Sequence, residues 1–515
     1  MKRHRLVSQT SLSRMFHEAA EAWKRQDYQL TIETLERAAR LDPANVRILL
    51  DLGRAYGLRY DYAAAERCFE KSVRVASNRA EVMAEAGRRS QEFENFDMAR
   101  RYFNLAAQQS GTTAAVFVSL AELSERHAQL DEAEQWVERA LAAHAEHPAA
   151  LLTRARLSRL RGKLEEAESG LRSLLAKPSL ETSTRVRLWY ELAAGLDRQA
   201  RYDDAMTALL EAKSFLRPVA APHEATLHGI QDRVREMENT ISSDVLKRWF
   251  DSLELLQPAR RLAVLCGHPR SGTTLLEQVL DSHNEIVSAE ETHIFHDEAY
   301  LPLSRGFSPE TSVLAMLEAA PVSGLQQARE NYFRFTAAFL GKQIGNKLLV
   351  DKNPALNVLI PAVARIFPEG RLLVAIRDPR DVCLSCFMQP LALNPVSSAY
   401  LSLETTVTQY ASVMGFWSAM RPRLSNAWME IRYEDVVADL EGASRRLLKF
   451  LEVEWDAKVM RFHEHARNKP LRSPSYAEVT KPVYQSAAGR WRNYEKYLTP
   501  YLERLSPVLS AYGYS

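Results

Sequence analysis

Small and large apolar positions return every 34 residues through the N-terminal part of the chain. Ala65, Ala99, Ala133 and Ala167 are spaced by 34 each, and Thr31 stands 34 before the first. Their companions move with them: Gly53, Gly87, Ala121 and Ala155, then Phe69, Phe103, Val137 and Leu171. A further copy, carrying Trp189, Leu192, Ala193, Leu196, Ala205 and Leu209, follows after a four-residue insertion. Small positions let paired helices approach and large ones fill the seam, so the period predicts stacked helical hairpins over 12–215. Pro218 and Pro222 break the pattern, and 216–254 reads as a capping helix or linker. Beyond 255 the pattern alternates between apolar strands and amphipathic helices. Strands are expected at Leu262–Gly267, Lys347–Val350 and Arg371–Ile376, with extended pieces at Glu285–Ser288 and Trp428–Tyr433. Helices are expected at Thr273–His283, Gly324–Gln343, Ala355–Phe367, Val382–Met388 and Leu440–Leu451. Such alternation predicts a parallel sheet covered on both faces, with ligand at the carboxyl ends of its strands.

A 34-residue period is that of tetratricopeptide repeats, here about six of them. The expected fold is an all-α repeat solenoid followed by an α/β domain over 255–515. Composition changes little: 46% hydrophobic, 26% charged and a net charge of +2 are ordinary for a globular chain and give no reason to invoke nucleic acid. Met1-Lys-Arg-His-Arg5 leads into polar residues rather than an apolar core, and no run approaches the roughly 20 apolar residues of a membrane span. Four cysteines are too few for a disulfide framework, and Cys383-x-x-Cys386, on an expected helix, reads as packing rather than metal ligation. The expectation is a cytoplasmic protein.

The strongest chemical signal is Gly267-His-Pro-Arg270-Ser271-Gly272-Thr273-Thr274, between a strand and a helix. It places orphan backbone amides at a helix N-terminus, which favours an anion. The Gly-x-x-x-x-Gly spacing is that of a Walker A loop, yet Thr273-Thr274 replace Lys-Ser/Thr, and Arg270 supplies the cation instead. In Arg377-Asp-Pro-Arg380-Asp381, with Ser385 eight residues after Arg377, a guanidinium fork and a hydroxyl can bind a second phosphate. The rival reading of Arg377 is a strand-capping ion pair with Asp378 or Asp381.

At these residues the chain resembles the sulfotransferases that use 3′-phosphoadenosine-5′-phosphosulfate (PAPS). It looks most like the tyrosylprotein sulfotransferase branch and its bacterial relatives with tetratricopeptide repeats, over roughly 246–515. The resemblance implies that Arg270, Ser271, Gly272, Thr273 and Thr274 hold the 5′-phosphosulfate and that Arg377 and Ser385 hold the 3′-phosphate. It further implies that Glu291, in Glu290-Glu291-Thr292, is the general base, with His283 and His293 as rivals. Lys352, in Asp351-Lys352-Asn353-Pro354, resembles the lysine at the bridging oxygen of the leaving phosphate. Ser475 aligns with a second catalytic-site serine, Tyr433 with a tyrosine near the nucleotide phosphate, and Lys481 and Arg490 with the nucleotide-binding segment. No metal is expected. The chain departs from the tyrosylprotein pattern where His293-Ile-Phe-His296-Asp297 replaces arginines that hold acidic peptide flanks, which counts against a tyrosine-peptide acceptor but not against the donor chemistry.

The expected activity is transfer of a sulfuryl group to an acceptor hydroxyl, of tyrosine or of another group on a peptide, glycan or small molecule. Two alternatives stand beside it, a P-loop kinase and a repeat scaffold with an inactive transferase domain. Groove positions of the repeats carry Arg47, Arg54, Arg88, Arg156, Arg159 and Arg187 against Glu81, Glu122, Glu125 and Asp197. The excess of arginine predicts an acidic macromolecular acceptor or partner there.

Overall fold

The computed structural model describes residues 2–25, 27–308, 310–467, 479–481, 483 and 487–514, with side chains from residue 11 onward. The chain divides into two compact units, Met1–Gly162 and Lys163–Ser515.

The first unit is a run of helical hairpins, such as Val46–Leu58 with Tyr62–Val75 and Arg79–Glu92 with Phe96–Ala107. Asn45, Asp61, Asn78 and Asn95 cap these helices by accepting a backbone N–H three residues on. Four successive hairpin turns pass through a left-handed residue, at Tyr60, Glu94, Ala128 and Gly162. The 34-residue period is thus written into the backbone as well as the side chains. Ala65, Ala99 and Ala133 are fully buried. A Cβ at Gly53 would come within 2.4 Å of the Phe69 ring, so the small position is small because the large one fills the space against it.

The second unit begins with the last repeat helices, Leu164–Leu175, Thr182–Arg198 and Tyr202–Ser214, followed by Ala221–Thr240 and Ser243–Asp251. After them comes a five-stranded parallel sheet: β1 (Leu262–Gly267), β2 (Ile286–Glu290), β3 (Leu348–Lys352), β4 (Arg371–Ile376) and β5 (Trp428–Arg432). Its order is β2-β3-β1-β4-β5, and every pairing is parallel. The three strands β1–β3 are buried throughout, as a sheet covered on both faces requires. Helices α1 (Thr273–Asp281), α2 (Val322–Leu340), α3 (Pro379–Met388) and α4 (Leu403–Met420) belong to the same unit.

Three elements differ from the sequence expectation. The helix expected over 355–367 is a 3₁₀ segment, Pro354–Leu359, followed by Ile360–Ile366. Pro361 has no N–H to continue the α ladder across the junction. Helix α4 was not anticipated, because the stripe opposite its buried Val407, Tyr410, Met414, Phe416, Trp417 and Met420 is made mostly of small residues and gives weak polar contrast. Finally, β2 and β3 each run two residues further than expected. Glu290 and Lys352 are therefore paired strand residues, opposite each other in register, and not turn residues beyond the strands.

Candidate functional site

The candidate residues gather at the carboxyl edge of the sheet. Two observations show why the β1–α1 loop has its sequence. A Cβ at Gly267 would meet the Ala375 carbonyl of β4 at 2.6 Å, and Gly272, at φ +96°, forms the left-handed N-cap of α1 with Tyr433 packed on it. Arg270 also lies in the left-handed region, at φ +71°, a strained setting for a residue with a side chain. That turn sends Arg270 Nε to the Ser385 hydroxyl on α3, 3.0 Å away, while the Arg270 carbonyl accepts from Arg377 Nη1 at 3.2 Å. The Arg377 guanidinium lies over the Tyr433 ring at 4.7 Å. Loop, second phosphate motif and Tyr433 are thus brought together. Arg377 stands 3.9 Å from Asp381, so an ion pair contributes at its long limit, whereas Asp378 is taken by Arg380 at 2.8 Å. Among the described residues, the Ser271 hydroxyl and Arg377 Nε are buried without a hydrogen-bond partner. Burying such donors is costly unless a ligand meets them, so this pocket suits an anionic group.

A second cluster is centred on Lys352. Its ammonium is completely buried and faces three carboxylates: Glu291 at 2.6 Å, Glu290 at 3.4 Å and Glu277 at 3.6 Å. Burial alone would push the lysine pKa down, but Glu277, Glu291 and Glu290 outweigh it and hold the ammonium above its ordinary value. Glu291 follows β2 at φ +48°, and its N–H donates to the Lys352 carbonyl at 2.7 Å, which fixes its carboxylate beside the lysine. Glu291 is the solvent-facing member, at 36% side-chain exposure against 3% or less for the other two acids. Behind it, Asp351 accepts from the Tyr332 hydroxyl at 2.7 Å, and burial pushes its carboxyl up to about 6, against lowering by Tyr332 and Lys352.

Glu277 was missed by the sequence reading. It sits on α1 among Leu276, Val279 and Leu280, and its other oxygen accepts from the Ser288 hydroxyl at 2.7 Å. An acid set among Leu275, Leu276, Val279 and Leu280 in sequence was the available signal. The rival base His283 is a structural residue: its Nδ1 accepts from the Glu285 N–H at 3.0 Å, which leaves the Nε2 proton for the Glu454 carbonyl at 2.9 Å. His293 is exposed.

The remaining sequence candidates are not drawn into this cluster. Arg490, expected at the nucleotide, instead pairs with Asp197 at 2.6 Å, because the repeat helix Thr182–Arg198 presents that carboxylate to it. Lys481 is exposed, and Ser475 lies outside the described residues. Cys383 and Cys386 are free and buried, as packing residues are.

The Sulfotransferase family model matches residues 263–457, the span that carries the loop, the Lys352 cluster and Arg377. This span is similar to the sulfotransferase family. An uncharacterized protein of Aquifex aeolicus (strain VF5) is 26% identical over 346 residues, 65% of this chain and 43% of that one. The protein-tyrosine sulfotransferase of Drosophila melanogaster is 27% identical over 263 residues, 49% of this chain and 51% of the fly protein. The chain thus spans about half the length of these curated relatives. Among solved structures, a sulfotransferase domain from the curacin biosynthetic pathway aligns with 50% of this chain and 99% of its own, at 17% identity and a TM-score of 0.35. No described helix of the chain is long and apolar enough to cross a membrane.

Proposed function

We propose that the chain is a PAPS-dependent sulfotransferase that moves a sulfuryl group to an acceptor hydroxyl. The observation that carries this reading is the convergence, at one sheet edge, of an anion-binding loop with Arg377, Ser385 and Tyr433, next to a Glu291–Lys352 pair. The buried, unpartnered Ser271 hydroxyl and Arg377 Nε fit a donor with two phosphate groups. Bound, that donor supplies an activated sulfuryl group and a nucleotide phosphate as leaving group.

The backbone amides of 270–274 and Arg270 orient the sulfuryl end, and Arg377, Ser385 and Tyr433 hold the 3′-phosphate. Lys352 places positive charge where the leaving oxygen becomes negative. Glu291 Oε1 accepts the proton of the acceptor hydroxyl. When it does so, its attraction for Lys352 falls. Glu277 and Glu290 then keep the ammonium in place, so the general base can change charge without releasing the cation. Positioning and charge stabilisation carry the rate, as in phosphoryl transfer.

The acceptor class is set outside this cluster. His293, His296 and Asp297 stand where an acidic tyrosine peptide would need cations, so we infer a hydroxyl acceptor without acidic flanks at that position. We further infer that the 12–215 repeats recruit a partner, with 255–515 acting as the catalytic part. An arginine excess does not support this: Arg47 pairs with Asp51 at 3.8 Å, Arg88 with Glu85 at 2.7 Å, Arg156 with Glu125 at 3.2 Å, and Arg54 with Glu92. Four of the six groove arginines thus have acidic neighbours, which weakens the argument from charge for an acidic partner. The test is to incubate the full chain with isotopically labelled donor and cell lysate, then search the products by mass spectrometry. Labelled sulfate esters are expected; phosphate esters formed from labelled ATP would favour the kinase reading.

A further inference from the structure

The segment from Ala487 to Tyr494 touches Arg377 and is pinned from two sides. On one side stands Asp381 of α3, which accepts from the Gly489 N–H at 2.7 Å and the Trp491 N–H at 2.8 Å. The Trp491 ring lies 4.0 Å beneath the Arg380 guanidinium, and the Ala487 carbonyl accepts from Arg377 Nη2 at 2.6 Å. On the other side stands Asp197, near the end of the repeat helix Thr182–Arg198. It accepts from Arg490 Nη2 at 2.6 Å and from the Tyr494 hydroxyl at 2.7 Å. Tyr494 is fully buried, and burial together with Asp197 holds its hydroxyl in the protonated, donating form.

We propose that Asp197 is a positioning residue of the nucleotide site. It anchors Arg490 and Tyr494, these set the register in which Gly489 and Trp491 meet Asp381, and that register fixes the carbonyl against which Arg377 is held. A repeat residue thereby orients the arginine assigned to the 3′-phosphate, and the last repeat hairpin is a working part of the transferase. The grouping of Lys163–Ser515 into one compact unit agrees with this. The inference rests on the donor reading above for its ligand, and on the Asp197 contacts for its mechanism.

The full-length chain serves for the test, as wild type, Asp197→Asn, Tyr494→Phe and the control Asp203→Asn. The Asp203 carboxylate holds the exposed Lys496 and the half-buried Tyr497 of the same region. Calorimetry with adenosine 3′,5′-bisphosphate and with adenosine 5′-monophosphate separates the 3′-phosphate from the rest of the nucleotide. Asp197→Asn is expected to weaken the bisphosphate roughly tenfold, the scale of one charge-assisted hydrogen bond, and to leave the monophosphate unchanged. Tyr494→Phe, the milder change, should move the same way. Hydrogen exchange of the ligand-free chain should show faster exchange in 487–494 for both, and no change for Asp203→Asn. Unchanged exchange in Asp197→Asn, unchanged bisphosphate affinity, or an equal loss for both nucleotides would each overturn the proposal. If wild type binds neither nucleotide, the donor reading fails, and exchange in 487–494 alone decides whether Asp197 anchors the segment.

Discussion

Replacing Lys352 by methionine keeps the length of the side chain and removes its charge. In the wild type this ammonium is the shared partner of Glu277, Glu290 and Glu291, at 3.6, 3.4 and 2.6 Å, and the first two are almost wholly buried. Its loss leaves two buried carboxylates facing each other with no cation, while Asp351 already sits beside them with its carboxyl pushed up to about 6. Breaking one buried pair in this way costs about 3–5 kcal/mol. The cost carries a pH signature. Orphaned carboxylates have folded-state pKa values raised above the unfolded value near 4.3, so their protonated form is stabilised by folding. Stability of the variant is then greatest below the unfolded pKa and is lost as pH rises through the raised folded values. Urea denaturation at pH 5 and pH 8, following the transition of the sheet-containing unit, measures both quantities. The expected result is a deficit of about 4 kcal/mol at pH 8 that shrinks markedly at pH 5. Adding Glu277→Gln to the variant should restore part of it, since coupled sites are not additive. A Lys352→Met chain within about 1 kcal/mol of wild type at both pH values would refute the ion-pair cage.

Three further outcomes follow from the same contacts. Glu291→Gln keeps shape and removes basicity, so turnover should fall by about 10²-fold or more while nucleotide affinity stays near wild type, read by labelled-donor kinetics and calorimetry. Asp351, raised from 3.8 to about 6, stabilises the fold fully below the lower value and loses that contribution as pH rises through the upper one. Asp351→Asn, which still accepts from Tyr332, should therefore flatten the stability profile between those values and raise stability at pH 8 by about 2–3 kcal/mol, measured by urea titration. His283→Asn should lower the thermal midpoint, through loss of the Glu454 contact, and leave the donor affinity unchanged by calorimetry.

The repeat array was legible because its information is local and periodic. Ala65 and Phe69 fall one helical turn apart, and the pattern returns unchanged after 34 residues. The β1 loop was legible for a similar reason, since contiguous residues from Gly267 to Thr274 build it. Less readable were features fixed by pairing between distant segments. Lys352 meets Glu290 only because β2 and β3 align in register, and Glu277 joins them from α1. Arg490 looked like a nucleotide ligand from its neighbours in sequence, but the carboxylate that claims it lies 293 residues earlier. Helix α4 gave little periodic signal because its more exposed face is built largely of small residues, Thr405, Thr408, Ala411, Ser412, Gly415 and Ala419, and contrasts weakly with the buried one. In each case the deciding contact is tertiary, and neither periodicity nor motif spacing encodes it.

The central claim is that the loop and Arg377 form a site for a nucleotide with a 3′-phosphate. It is tested most directly by calorimetry of the full chain with adenosine 3′,5′-bisphosphate in the absence of magnesium, beside ATP with magnesium. The account predicts that the bisphosphate binds and that Arg377→Ala weakens it by about 2 kcal/mol or more. Equal or tighter binding of magnesium–ATP, or a bisphosphate affinity untouched by Arg377→Ala, would contradict it.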